Sequence, residues 1–352
     1  MKILRLAIPS VFLLYFLGCT PENGPYIPST PAETQQVNEN IANNVILPQI
    51  FEVDIKVSSL NYYIGKFLSD RNAITLDSAR IAWRTAHEWW AESQAMLLGP
   101  ARDKKLSALI DSFPVIVADV EQVLATYPLI NDDLIVGFSG SLKGFHALEY
   151  LLFGIDGNKK ITDFTPKEFD YIGAVSREME RLTQSLRYSW DPARENYVGQ
   201  ITNPGQSGGA YETDKDAMRD LIDAMIFICD DLAERKIGKP LDMNADTLQE
   251  SRFSSNSTND YRSNILGVKY MYQGGKEPNS YGISGLVIAE SGFELDTKVF
   301  TEISNALNAI SALVPTFSSS LYARPDDVEA ARIAVRNLKI TLETQVRPLL
   351  LE

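Results

Sequence analysis

Apolar side chains recur along most of this chain at the 3.6-residue period of a buried helix face. Val53, Val57, Leu60, Ile64 and Phe67 follow one another at steps of four, three, four and three, which predicts an amphipathic helix starting near Pro48. A second helix is predicted from after Thr75 through Ala79, Trp83, Ala86 and Trp90, with Gly99 and Pro100 as its stop. Val117 to Leu124 forms a third, and about Ser141 to Phe153 a fourth. Turn residues between Gly154 and Lys160 then break the pattern. Thr165-Pro166-Lys167-Glu168 restarts it with a capping hydroxyl, a proline at the first helical position and a capping-box carboxylate. Phe169, Ile172, Met179, Leu182 and Leu186 continue that helix. A loop rich in Gly, Pro and Asn spans about 191–211, and Thr213 opens a helix through Met218, Leu221, Met225 and Leu232. Further helices are expected at about Asp260 to Tyr272, Leu295 to Leu313 and Pro325 to Leu350. Strand alternation is scarce, so the expectation is an all-α protein of two helical bundles, residues 41–160 and 161–352.

Leu148-Glu149-Tyr150-Leu151 with Gly154 is echoed by Val268-Lys269-Tyr270-Met271 with Gly274. Internal duplication and chance both account for so short a match.

The first residues obey another rule. Lys2 and Arg5 precede an apolar run from Leu6 to Leu17, 12 residues with Pro9 and Ser10 inside it. That is well short of the roughly 20 needed to span a bilayer, and it reads as a secretory signal over residues 1–18. The order Phe16-Leu17-Gly18-Cys19 resembles the lipobox of bacterial lipoproteins, which makes Cys19 the expected site of lipidation and the membrane the expected partner through that lipid. An ordinary signal peptide with a chance cysteine is the alternative. Against it stands the next stretch, where Pro21, Pro25, Pro28 and Pro31 and few large apolar residues give an extended, solvated tether, taken as residues 19–40. Thr20, rather than Asp, after the cysteine points by resemblance to the outer membrane.

The formal charge is −13, and removing residues 1–18 takes away Lys2 and Arg5 and no acid, leaving −15. The charge therefore argues against nucleic acid and anionic membrane faces as partners for the body, whereas cation capture and mere solubility both remain open. Beyond Cys19 the only cysteine is Cys229, in the apolar register Met225, Ile228, Leu232; it reads as a buried small hydrophobe with no disulfide partner.

Two histidines occur, His87 and His146. His146 and Glu149, three residues apart on a helix, face one way and can reach one ion or one water. Gly140 and Gly144 lie before them, where another backbone or a ligand can approach. A solvated pair is the ordinary reading of such spacing. The apolar neighbours Phe145, Leu148, Leu151, Leu152 and Phe153 favour burial instead, and a buried carboxylate needs a partner.

The run Lys143-Gly144-Phe145-His146-Ala147-Leu148-Glu149-Tyr150-Leu151-Leu152-Phe153-Gly154 resembles the GxHxxE signature of the imelysin-like (M75 peptidase-like) family. Trp90, Ser93, Gly99 and Pro100 fall where that family places Trp, Ser, Gly and Pro, and the runs 236–241 and 250–260 are also similar. The resemblance implies a two-bundle helical fold with a site between the bundles, formed by His146 and Glu149 with Ser93, Glu250, Ser254, Asn256 and Asp260 as further candidates. As cofactor it implies a divalent metal, iron or zinc, bound as such or within a small ligand during iron acquisition. Gln94, Met96 and Leu98 depart from the family, which carries Glu and aromatics after the serine. The metallopeptidase activity in the family's name is a second implication. Neither HExxH nor HxxEH occurs, since Tyr150 follows Glu149, and a two-histidine zinc site would have to recruit His87. A structural lock between bundles in a surface interaction module is the third.

Overall fold

The computed structural model describes residues 33–278 and 281–352. Cys19, the signal segment and most of the expected tether lie outside the described residues. Among the described residues all regular structure is helical, without a strand, as the apolar period requires.

The first long helix, Leu47–Ser69, buries Val53, Val57, Leu60, Ile64 and Phe67 on one face, as the sequence predicts. It continues without a break from Thr34–Asn40 through a wider π-helical stretch, Ile41–Ile46. Residues 34–40, expected as tether, are thus helical, with Val37 and Asn38 buried. The physical reason is tertiary: Asn38 Nδ2 donates to the Asp214 carbonyl at 2.9 Å, anchoring a segment whose composition alone reads as solvated. Helix Ala73–Ser93 begins two residues before Thr75 because the Asn72 side chain caps it, accepting from Ile74 N at 2.9 Å and Thr75 N at 3.0 Å. Pro166–Trp190 starts as predicted: Glu168 N donates to Thr165 Oγ1, and Thr165 N donates to Glu168 Oε2 at 2.7 Å.

Leu47–Ser69 packs against both Ala73–Ser93 and Pro166–Trp190, so the helix just after residue 160 lies with the N-terminal helices. In the second half, Phe293–Ser311 packs on Pro325–Thr341 and on Ser257–Gln273, and Asp214–Asp230 adds to Pro325–Thr341. The seam between halves is the contact of Ser257–Gln273 with Ala73–Ser93. A Cβ on Gly267 would stand 2.1 Å from the Glu92 carbonyl oxygen, so only glycine lets these two helices approach so closely. The apolar core runs unbroken across the seam, and Cys229 is buried in it.

Several short helices escape the sequence pattern: Leu106–Ile110 and Asp132–Val136 are too brief to show a period, and Tyr197–Thr202 interrupts the expected loop at 191–211, where the Asn196 side chain caps it by accepting from Gly199 N. Two later ones escape it as well. Ile283–Ser291 is apolar around most of its circumference and shows no amphipathic period, and Phe317–Ala323 is too short and serine-rich to show one. The echoed glycines have a local cause: Gly154 N donates to the Tyr150 carbonyl and Gly274 N to the Tyr270 carbonyl, each at positive φ at a helix end.

Candidate metal centre

The GxHxxE helix starts later than its apolar period suggests. A tight turn at Gly140–Leu142 is followed by Gly144 at φ +85°, and the helix proper is Phe145–Phe153. Both glycines touch the segment just before Asp111. A Cβ on Gly140 would lie 1.9 Å from the Ala108 carbonyl oxygen, and one on Gly144 would lie 2.3 Å from that of Ile110. The glycines therefore admit the 106–110 helix against the start of the motif helix, and that contact delivers Asp111 to His146.

Both imidazoles converge on one carboxylate oxygen. Asp111 Oδ1 lies 2.9 Å from His146 Nε2 and 3.2 Å from His87 Nε2. The contact to His146 Nε2 is off the line that a hydrogen bond needs, so this wholly buried nitrogen has no hydrogen-bond partner. Each ring is held from behind by another carboxylate. His146 Nδ1 sits 3.1 Å from Glu149 Oε2, and His87 Nδ1 sits 2.9 Å from Asp260 Oδ1. A carboxylate on one imidazole nitrogen fixes the ring and leaves the other free to ligate, the arrangement common behind metal-bound histidines. Trp83 stacks flat on His87 at 4.9 Å, and Phe145 meets the same ring edge-on.

The carboxylates are in turn held. Ser254 donates to Glu149 Oε1 from its backbone N at 2.7 Å and from its hydroxyl at 2.8 Å. Asn256 Nδ2 donates to Asp260 Oδ1 at 2.8 Å, while Asp260 Oδ2 is buried without a partner. Gln94 Nε2 donates to Asp111 Oδ2 at 2.6 Å. Its Oε1 accepts from the buried Lys236 ammonium at 2.7 Å, and that ammonium also donates to Glu250 at 2.8 and 2.9 Å and to Asn264 Oδ1 at 3.1 Å.

Electrostatics follow from this packing. Burial opposes a charge on His146, but Asp111 and the Glu149 hydrogen bond outweigh it and hold its pKa at about 9. Burial opposes a charge on His87 too, and Asp260 and Asp111 override it and raise the pKa well above the ordinary histidine value. Asp111, despite burial, is held well below the usual carboxylate range by the two histidines, His146 first. Burial pushes Glu250 up, against the pull of Lys236.

One donor atom from each of His87, Asp111, His146 and Glu250 lies within 4.8 Å of the others, a separation that one ion with ligands at about 2.0–2.3 Å can span. Two imidazoles and two carboxylates suit a divalent transition metal, and the unpartnered His146 Nε2 is where such an ion would find an open lone pair once the ring loses its proton. Glu250 has the most to rearrange, because Lys236 already holds it.

Of the candidate residues, His146, Glu149, Glu250, Ser254, Asn256 and Asp260 all come together here. Glu149 and Asp260 stand behind the histidines, and Asn256 and Ser254 stand behind those acids. Ser93 is spent elsewhere: its hydroxyl donates to the Trp90 carbonyl at 2.7 Å. His87, named only as a recruit for a zinc site, is central. Asp111 was not anticipated at all, and Gln94, read only as the loss of an acid, is the amide that bridges Asp111 to Lys236.

Fold and site together define a class: an all-helical protein with a buried histidine-carboxylate cluster where its two halves meet. The chain belongs to the imelysin family, whose profile (Peptidase M75) matches residues 51–345. Iron-regulated protein A of Synechococcus elongatus is 23% identical over 321 residues, covering 90% of this chain and 86% of that protein. Two crystal structures share the fold. One, assigned as an iron-regulated protein A precursor from Parabacteroides distasonis, has a TM-score of 0.81 at 22% identity and covers 90% of this chain and 95% of its own. The other, an imelysin-like protein from Psychrobacter arcticum, has a TM-score of 0.75 at 12% identity, with 92% and 98% covered.

Proposed function

We propose that this chain binds a divalent metal, iron before zinc, through His87, Asp111, His146 and Glu250, and that it serves iron acquisition from a lipid anchor on Cys19 at the outer membrane. The observation that carries the metal reading is the pair of buried imidazoles aimed at one Asp111 oxygen, each backed by a carboxylate. Iron is favoured because the relatives in Synechococcus and Parabacteroides are named as iron-regulated. The anchor rests on the order of residues 16–19 and the proline-rich stretch after them. Among the described residues no helix is long and apolar enough to cross a membrane, which is compatible with attachment by lipid.

Capture fits this arrangement better than peptide hydrolysis. A hydrolytic metal needs a general base free to take a proton from its water, and Glu149, the motif carboxylate, has Oε1 committed to Ser254 and Oε2 to His146. Anaerobic calorimetric titration of metal-free protein with ferrous iron, and separately with zinc, tests the reading. His146→Ala should abolish binding, and Glu149→Ala, which removes only the orienting group, should weaken it about 10–100-fold. Unchanged affinity in both variants refutes the metal centre.

A further inference from the structure

A cavity of about 690 Å³ reaches the cluster from the side, with Gln94 and Asp111 in its wall. That volume is within the range typical of sites for small organic ligands, about 300–1,000 Å³, and far above what a bare ion needs. Its walls are largely apolar, with Trp90, Phe113 and Phe227 among them, and Phe227 stays 67% exposed although it is a large apolar side chain.

The charges around the cavity are unevenly satisfied. Each acid in the lining besides Asp111 already has a cation: Asp220 pairs with Arg102, Asp223 with Arg347 and Asp231 with Arg235. Asp111 itself is neutralised by the histidines. Lys105, also in the lining, has no carboxylate within ion-pair distance among the described residues. It is held at φ +56°, a left-handed conformation that a lysine adopts only at some cost. Trp90, fully buried in the same wall, has an indole N–H without a partner. What the cavity leaves over is thus one ammonium beside apolar surface, with an unpartnered indole N–H buried behind its wall.

We infer that this cavity binds a small organic oxyanion with an apolar or aromatic body, its carboxylate or phenolate held by Lys105 and its body against Phe113 and Phe227. The site then takes its metal as a complex with such a chelator, or with the chelator as a co-ligand beside Asp111. The metal part rests on the function proposed above, whereas binding of the anion to the cavity stands without it.

Salicylate, an aromatic carboxylate and phenolate, is a direct probe, with citrate as an anion lacking an apolar body. Calorimetry on the metal-free full chain should show saturable one-to-one binding of salicylate and weaker binding of citrate. Lys105→Asn removes the charge while suiting the left-handed backbone, and should weaken salicylate about tenfold, the worth of one charge-assisted hydrogen bond at a half-open site. Ala224→Phe, which fills the cavity from a partly buried position, should abolish binding without altering the fold as followed by circular dichroism. No salicylate binding, or equal affinity for citrate, or an unaffected Lys105→Asn variant overturns the inference while leaving the metal titration free to succeed. Salicylate binding in a protein that takes up no metal would instead remove the metal centre and keep the anion site.

Discussion

Because both histidines of the chain lie in the cluster, histidine NMR reports on it without background. In metal-free protein His146 should titrate near pH 9. At an effective dielectric of about 20, opposite charges 2.9 Å apart attract by about 6 kcal/mol, or about 4 pK units. The net elevation of His146 over 6.5 is smaller than this, about 3 kcal/mol, the difference being the cost of burying the imidazolium. Asp111→Asn keeps the shape and removes the charge, so the His146 pKa should fall below about 6.5 and the ring should be neutral at pH 7. Stability follows with a definite sign. His146 has a higher pKa folded than unfolded, so its contribution is complete below about pH 6.5 and is lost as pH rises towards 9. Urea unfolding of the wild type should show about 3 kcal/mol of this loss from His146 across that window, and Asp111→Asn should show a smaller loss, because the part contributed by His87 is held by Asp260 and remains. A His146 resonance in the variant still titrating near 9 would refute Asp111 as the controlling charge.

Metal affinity should rise with pH from 6 to about 9, because His146 must give up a proton before Nε2 can ligate; calorimetry in buffers of different ionisation enthalpy would show the released proton, and a flat profile would contradict it. Gly144→Ala should cost about 1–3 kcal/mol in urea unfolding for its backbone conformation alone, with more from the contact against Ile110, and should weaken metal binding by displacing Asp111. Lys236→Met leaves Glu250 buried and unpaired, and should destabilise the chain by about 3–5 kcal/mol at neutral pH, recovering towards acid as Glu250 is protonated.

Helices were legible because their apolar faces are local: the step pattern from Val53 to Phe67 and the Thr165–Glu168 capping box are each contained within one element. The motif was legible for the same reason, since His146 and Glu149 share a helix face. What that spacing does not carry is direction. It put both side chains within reach of one ion, whereas Glu149 stands behind the ring, on Nδ1, and the other nitrogen, Nε2, looks towards Asp111. Asp111 has no local signature, because an acid between a short helix and Ser-Phe-Pro reads as an ordinary turn former. Its part is written instead in Gly140 and Gly144, whose missing side chains mark where the 106–110 backbone must pass. His87 was hidden by its aromatic surroundings, which suit a core histidine as well as a ligand.

The same dispersion along the chain gives the site a mechanical property. Its groups come from Ala73–Ser93, the end of the 106–110 helix, Phe145–Phe153 and the 249–264 region, and the last of these belongs to the second half. Arg84 also reaches across, donating to the Ser254 carbonyl at 2.9 Å, as does Asn264 to the Ala91 carbonyl at 2.8 Å. An ion held by His87, Asp111, His146 and Glu250 therefore ties both halves together, and an ion that binds only the folded state adds about 2.7 kcal/mol at a hundredfold excess over its dissociation constant. That gain should appear where the ligands are carried on non-helical backbone, in residues 111–116 and 249–256, as slower amide hydrogen exchange on adding ferrous iron. Helices that carry none of these groups, such as Pro325–Thr341, should exchange unchanged below the global unfolding limit. Equal slowing throughout would mean that the ion stabilises the chain without acting at the seam, and no slowing at 249–256 would remove Glu250 from the ligand set.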